Sequence, residues 1–314
     1  MKRLFGALLA VSLFAIPAHA ADPIKIVVPF AAGGPVDALA RILAQELTTR
    51  LASDVVVENR GGAGGLLAVE QVGRAPADGR TILFASVGAF VITNALKPQP
   101  GYDQLKSFAP VARIGAAPTL FIVKADSPIK TLGELIASAK AGTKMSYGSA
   151  GPGTTMHIAA EQLNASAGTK ITHVPYRGIA PALNDVMGGH IDFLNGDITV
   201  LYPLVKQGAL RALAVCGTER SSLLPDLPTA QELGYKDVYM ENWYGALVPA
   251  ATPPEVVARL EAAVMDAVKN PEVWGKISAN GVYAPQDAKA FRAQIEKDVA
   301  YWGAEIKKLG ITVD

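Results

Sequence analysis

The chain has a single cysteine, Cys216, among its 314 residues. An internal disulfide is excluded, and the residue reads as a buried small apolar side chain rather than a catalytic thiol. An excess of charge is missing as well, since 29 basic residues face 28 acidic ones. Without the basic surface that a phosphate backbone demands, nucleic acid is not expected as a partner. Of the four histidines, His157, His173 and His190 fall in no H-E-x-x-H or other metal-ligand spacing, so no metal is expected. No G-x-x-x-x-G-K-[ST] occurs, and "GGAGGLLA" lacks the last glycine of G-x-G-x-x-G, which removes the nucleotide readings and leaves no cofactor expected.

Long apolar runs are also absent, with one exception at the start. Lys2 and Arg3 precede "LFGALLAVSLFAIPA" and then "AHA", ending at Ala20, which reads as a secretory signal peptide over 1–20. No later stretch approaches the roughly 18 apolar residues of a membrane span. The mature protein is expected to be soluble and periplasmic, and without Lys2 and Arg3 its charges stand at 27 basic to 28 acidic.

What is abundant is apolar material, half of all residues. A mature length of roughly 290 residues exceeds the usual single core, so two lobes are expected. Short β-branched runs at 24–30, 54–59, 81–86, 120–124, 145–150, 171–176, 210–215 and 244–250 alternate with helical patterns. That alternation predicts βαβ units, hence an α/β fold with a mainly parallel sheet. Val36, Leu39, Ala40, Leu43 and Leu47 share one helical face, as do Phe291, Ile295, Val299, Trp302 and Ile306, with Gly310 suited to end the second helix. "TLGE" (131–134) and "TPPE" (252–255) predict helix starts capped by Thr131 and Thr252, with Pro253 at the first helical position. The Pro-containing stretches 115–128 and 220–229 mark where the chain changes lobes. They divide it into 21–121 plus 241–314 (lobe 1) and 122–240 (lobe 2).

Three glycine loops precede helical patterns: "PFAAGGPVDALAR" (29–41), "NRGGAGGLLAVEQV" (59–72) and "YGSAGPGTTMHIAAEQL" (147–163). In the third, Thr154 or Thr155 can cap the helix. A helix N-terminus carries unpaired N–H groups and partial positive charge, and glycine lets a ligand oxygen approach them. Such loops are either tight turns or seats for a small anion, and their recurrence in both halves favours the second. Asp37 is a first-turn partner of backbone N–H groups or a ligand contact, and Arg41 can pair with it or with Glu46. Asp197 caps a helix starting near Val200 or accepts from a ligand. Phe30, Tyr176, Trp243 and Tyr244 pack on the core or line a pocket, and Arg177 braces its loop or meets the anion. No catalytic residue is expected: Tyr147 stands where a nucleophile elbow around Ser149 needs glycine, and His157 reads as a packing or hydrogen-bonding residue.

Four segments, "PFAAGGPVDALAR", "VVVENRGGAGG" with "APADGRTILFAS", "YGSAGPGTTMHIAAE", and "HVPYRGIAPALNDVMGGHIDF" with "GALRALAV", resemble the Bug family of extracytoplasmic solute receptors of tripartite tricarboxylate transporters. The resemblance spans essentially the whole mature chain. It implies a type II periplasmic binding protein fold, two α/β lobes joined by two crossing strands with a ligand cleft between them. It also implies a small carboxylate ligand held by backbone N–H groups, permease subunits as membrane partners, and a monomer. Carried onto this chain, the first loop comprises Phe30, Ala32, Gly33 and Gly34, the second Ser149, Gly153, Thr154 and Thr155, with Ser86, Tyr176, Arg177, Gly178 and Asp197 lining the cleft. Many relatives read Pro-Gly-Gly where this chain has Ala31-Ala32-Gly33-Gly34, which leaves an additional N–H free. The competing expectations are a ligand sensor for a signalling partner, or a hydrolase using Ser149, His157 and Asp197.

Overall fold

The computed structural model describes residues 22–97 and 101–312, so the expected signal peptide lies outside the described residues. Strand β1 (Ile24–Val28) leads through the first glycine loop to α1 (Pro35–Leu51). Then come β2 (Val55–Asn59), α2 (Leu66–Gly73), β3 (Thr81–Ser86), and a wide helical turn (Gly88–Ile92) continued by the short α3 (Thr93–Ala95). A long strand, β4 (Phe108–Lys124), precedes α4 (Leu132–Lys140), β5 (Ser146–Ser149), α5 (Thr155–Ala167), β6 (Thr172–Pro175), α6 (Ile179–Gly188), β7 (Phe193–Asp197), α7 (Ile198–Lys206) and β8 (Leu210–Val215). The chain ends with β9 (Glu241–Pro249), α8 (Pro254–Lys269), α9 (Pro271–Ser278), β10 (Gln286–Asp287) and α10 (Ala288–Leu309).

The strands lie in the order β2-β1-β3-β9-β4-β7-β5-β6, with β8 and β10 also paired to β4. The pairs β1·β2, β1·β3, β5·β6 and β5·β7 are parallel, as the βαβ alternation requires, but β3·β9, β4·β7, β4·β8, β4·β9 and β4·β10 are antiparallel. The sheet is therefore mixed rather than mainly parallel, because β9 runs against β3 of the first half and β4 against β7 of the second. From Phe108 to Pro118, β4 pairs with β9; from Thr119 on it pairs with β7 and β8. The change of partner falls inside the Pro-containing stretch, which sequence reads as an interruption and which is strand as far as Lys124, with one irregularity at Phe121/Ile122.

Both faces of the sheet are covered. Ile24, Ile26 and Val28 pack with α1 and α8 on one side, while Val27, Leu83 and Ala85 pack with α2 and α10 on the other, following the two-residue period of a strand. Every predicted apolar position of α1 is buried, and α10 buries Phe291, Ile295, Trp302 and Ile306 before ending at Gly310 in the left-handed region. Thr131 caps α4 by accepting from Glu134 N–H. Thr252 does not cap α8: Pro253 holds the N-cap position, the helix starts at Pro254, and the Thr252 hydroxyl is buried without a partner among the described residues. Two adjacent prolines place the helix one residue later than the spacing suggests. The strand β7 was not expected from sequence, because "FLNGD" carries turn residues; burial on both faces overrides their local preference.

α10 lies so close to β9 that Gly245 touches the ring of Phe291, and a Cβ there would overlap the ring edge. Gly245→Ala is expected to destabilise the protein by roughly 1–3 kcal/mol through overpacking. Gly275→Ala on α9, where nothing lies within 4 Å of a new Cβ, should be neutral or stabilising by up to about 1 kcal/mol. Urea unfolding followed by circular dichroism measures both, and equal effects would contradict this packing.

Candidate functional site

The first glycine loop is shaped from within its own helix. Gly33, at φ +89°, turns its N–H toward the carboxylate of Asp37 in the first turn of α1, at 2.9 Å. Asp37 also accepts from Arg41 Nε at 3.0 Å and from Asn59 Nδ2 at 2.9 Å, and Asn59 reaches the Phe30 carbonyl at 3.1 Å. Burial works to raise the Asp37 carboxyl, but hydrogen bonds from Arg41, Gly33 and Asn59 outweigh it and hold the group below the usual carboxylate range. Arg41 therefore pairs with Asp37, and Glu46 pairs with Arg50. With Gly33 N–H occupied, the N–H groups of Ala31, Ala32, Gly34 and Val36 make no hydrogen bond among the described residues. Phe30 is half-buried against the core.

The second loop repeats the arrangement with different side chains. Gly153, at φ +76°, donates its N–H to His157 Nδ1 in the first turn of α5, at 3.2 Å. The Gly151 N–H donates to Ser149 Oγ at 3.1 Å, and the Thr154 hydroxyl donates to the Gly151 carbonyl at 2.7 Å. Thr154 holds the N-cap position of α5, yet its hydroxyl caps nothing. The N–H groups of Ala150, Thr155, Met156 and His157 are thus left without a hydrogen-bond partner among the described residues. These are the donors that the N-terminus of a 13-residue helix offers an anion.

Other loops bring the two together. A point beside Gly88, where a Cβ would sit, is 3.4 Å from Thr155 N and 3.9 Å from Ser86 Oγ. The corresponding point at Gly61 is 3.5 Å from Ala31 N, that at Gly64 is 3.3 Å from the Pro152 carbonyl, and that at Gly151 is 3.5 Å from the Tyr176 carbonyl. The third glycine loop therefore bridges the first and second, and Tyr176, Arg177 and Gly178 flank the second. Tyr176 donates to Asp185, Arg177 is exposed and makes no side-chain hydrogen bond or ion pair among the described residues, and Gly178 precedes α6 with its N–H unpaired. The unpaired polar groups of these loops are almost all main-chain donors, with Ser86 Oγ as a hydroxyl beside them. Two surface depressions, of about 360 and 670 Å³, lie elsewhere, lined by Arg50, Leu51 and Arg259, and by Val205, Leu223 and Leu227.

Asp197 is buried, and its acceptor positions are filled. Oδ1 takes Thr199 N–H and Oγ1–H at 3.0 and 2.7 Å, and Oδ2 takes Asn242 Nδ2 at 3.2 Å and the Tyr244 hydroxyl. It caps α7, which starts at Ile198, and ties β7 to β9. Burial raises its carboxyl above the usual range despite these donors. Trp243 turns into the core, donating Nε1–H to Asp298 at 2.7 Å and meeting Phe291 edge-on. Cys216 is fully buried, its thiol pushed up to about 12 by burial. No group of three or more His, Cys, Asp or Glu side chains with metal-binding geometry occurs among the described residues. Asn59 and His173, which contacts Ser149 Oγ through Nε2 at 2.6 Å, belong to the site although sequence did not single them out for it. Asn59's position between β2 and the third glycine loop was the available signal; nothing in the sequence pointed to His173.

The family model for "Tripartite tricarboxylate transporter family receptor" matches residues 39–311. The periplasmic binding protein BugD is 34% identical, with a TM-score of 0.86 over 92% of this chain and 98% of its own. MatC from Rhodopseudomonas palustris, solved with bound malate, is 30% identical, with a TM-score of 0.85 over 90% of this chain and 98% of its own. An R. palustris protein solved with adipate is 30% identical, with a TM-score of 0.87 over 92% and 98%. These likenesses show the two-lobe α/β architecture of periplasmic binding proteins, and the chain belongs to the Bug family of tripartite tricarboxylate transporter receptors.

Proposed function

We propose that this receptor captures a small carboxylate in the periplasm with main-chain N–H groups of its glycine loops and delivers it to the permease of a tripartite tricarboxylate-type transporter. The observation that carries this reading is the pair of helix N-termini, at α1 and α5, whose first-turn N–H groups remain unpaired while their loops are held in shape by side chains. Relatives solved with malate and with adipate support the ligand class. Each charge-assisted hydrogen bond contributes about 1.5–3 kcal/mol net, so a few from each loop reach the roughly 8 kcal/mol of micromolar binding without a buried cation.

In this reading the piece up to residue 121, together with the piece from 241 onward, forms one lobe, and 122–240 forms the other. The antiparallel strands β4 and β9 are the two crossings. A carboxylate touching both loops stabilises the closed form, which is the shape a monomeric receptor presents to permease subunits. Capture and closure need no bond-making step. The 2.6 Å contact of Ser149 Oγ with His173 Nε2 speaks for a hydrolase, but Ser149 has no exposed surface for a substrate to reach.

Calorimetric titration against mono-, di- and tricarboxylates, including malate and adipate, tests the reading, and it fails if none binds tighter than about millimolar. Gly34 has an ordinary extended backbone (φ −88°), and a Cβ there meets only the Ala31 carbonyl, at 4.0 Å. Gly34→Val is therefore expected to fold normally yet lose at least about a hundredfold in affinity by covering the donors. Thr154→Ala removes one internal hydrogen bond and should cost about threefold to tenfold. Equal affinities in the two variants would make the loops ordinary turns.

Asp37→Ala should loosen the first loop by freeing Gly33, Asn59 and Arg41 at once, lowering stability by roughly 1–3 kcal/mol in urea unfolding. Because the folded Asp37 carboxyl lies below its unfolded value, its contribution is present above about pH 4 and fades as pH falls through the folded value. An Asp37→Ala deficit of unchanged size under strong acid would rule out this role.

A further inference from the structure

Both anion loops are built on one device, a glycine N–H bonded to the side chain four residues later in the first helical turn. Gly33 uses the Asp37 carboxylate and Gly153 uses the His157 imidazole. The partners differ in one chemical respect. A carboxylate accepts at any pH above its low pKa, whereas a ring nitrogen accepts only while the imidazole is neutral.

The surroundings keep His157 neutral and fixed. It is buried and stacks on His173 at 4.2 Å between ring centroids and 17° between planes, and His173 stacks in turn on Tyr147 at 5.0 Å. Acceptance from Gly153 N–H at Nδ1 places the His157 proton on Nε2. The charged and titratable groups around the stack are Tyr147 on β5, His173 on β6 and Glu161 one turn along α5. Tyr147 donates its hydroxyl to Glu161 Oε1, which also accepts from Asn164, and His173 is bonded to Ser149 at the root of the loop. Burial pushes both imidazoles down to about 4, and at His173 the neighbouring His157 adds to that while Glu161 opposes it.

We propose that His157 is a positioning residue for ligand binding: its neutral Nδ1 holds Gly153 N–H inward, so that the N–H groups of Thr155, Met156 and His157 stay free for the ligand. Protonation of the ring turns this acceptor into a donor facing a donor. The loop then gives up its shape, and affinity falls on acidification. This inference rests on the carboxylate reading of the loops for its affinity arm but not for its structural arm.

Two substitutions separate the acceptor from the ring. His157→Asn leaves an acceptor oxygen near the place of Nδ1 and cannot titrate, while His157→Phe keeps a stacking ring without an acceptor. With malate and adipate as probes, His157→Phe should bind about tenfold more weakly than wild type near neutral pH, and His157→Asn within about threefold. Between neutral pH and about pH 3, wild type should lose about tenfold more affinity than His157→Asn, the ligand's own protonation being common to both. In the ligand-free protein, the Gly153 amide resonance should shift with the His157 titration in wild type and stay still in His157→Asn. Wild-type affinity in His157→Phe, or identical acid losses in wild type and His157→Asn, would overturn the proposal. So would a Gly153 amide indifferent to pH. Failure of both probes to bind wild type near neutral pH would refute the carboxylate reading instead, while the amide titration would still decide the role of His157.

Discussion

A backbone N–H can serve a ligand only if the fold neither uses it nor lets it wander. The loops before α1 and α5 meet both demands by tying one inner N–H to a side chain and leaving its neighbours unpaired. The tie reaches four residues ahead, the distance at which a first-turn side chain lies beneath the loop that precedes it. Glycine is required at the tied position because φ near +80° to +90° turns the N–H inward, and a side chain would be strained there. The neighbouring N–H groups make no hydrogen bond among the described residues. In the proposed reading such loops hold an anion without lysine or arginine, and so leave little trace in the charge balance of the chain.

The same constraint explains which parts of the molecule were legible in sequence. Helices α1 and α10 announce themselves through period and punctuation, and the parallel βαβ units through alternation, because burying one face imposes a pattern on the letters. β7 and the first half of β4 escape, since their Asn, Gly and Pro residues carry turn preferences that burial between two helical layers overrides. Among the site residues, the glycines and Asp37 are readable because local geometry constrains them. Asn59 and His173 reach the loops from strands far away in sequence, and such partnerships leave no periodic signature. Trp243, which sequence leaves open between core and pocket, faces the core beneath α10, because strand alternation and not proximity to a loop sets its direction.

Asp197 links the second set of loops to the crossing strand. Its carboxylate gathers Thr199 at the start of α7 with Asn242 and Tyr244 on β9, and Tyr244 pairs with Ser86, the hydroxyl beside the α5 donors. A buried carboxylate with its acceptors filled is costly to disturb, so β7, α7 and β9 are held in one register at this point. The same point is where β4 exchanges β9 for β7 and β8, at Pro118 and Thr119, Thr119 standing in register with Asp197.

Main-chain recognition also bears on what the receptor can discriminate. Donors on a rigid backbone fix where carboxylate oxygens sit, but a carboxylate looks the same at the end of any acid. In the proposed reading, selection among acids falls to the spacing between the α1 and α5 N-termini and to the side chains near the loops, among them the half-buried Phe30, the Ser86 hydroxyl and the exposed Arg177. Ala31 and Ala32 enter that choice differently from any side-chain contact. Each brings an N–H that makes no hydrogen bond among the described residues, so the first seat is wider in donors than a prolyl loop would make it. In the proposed reading, an extra donor favours an acid with an additional oxygen near its first carboxylate, since that oxygen would satisfy a group otherwise left to water.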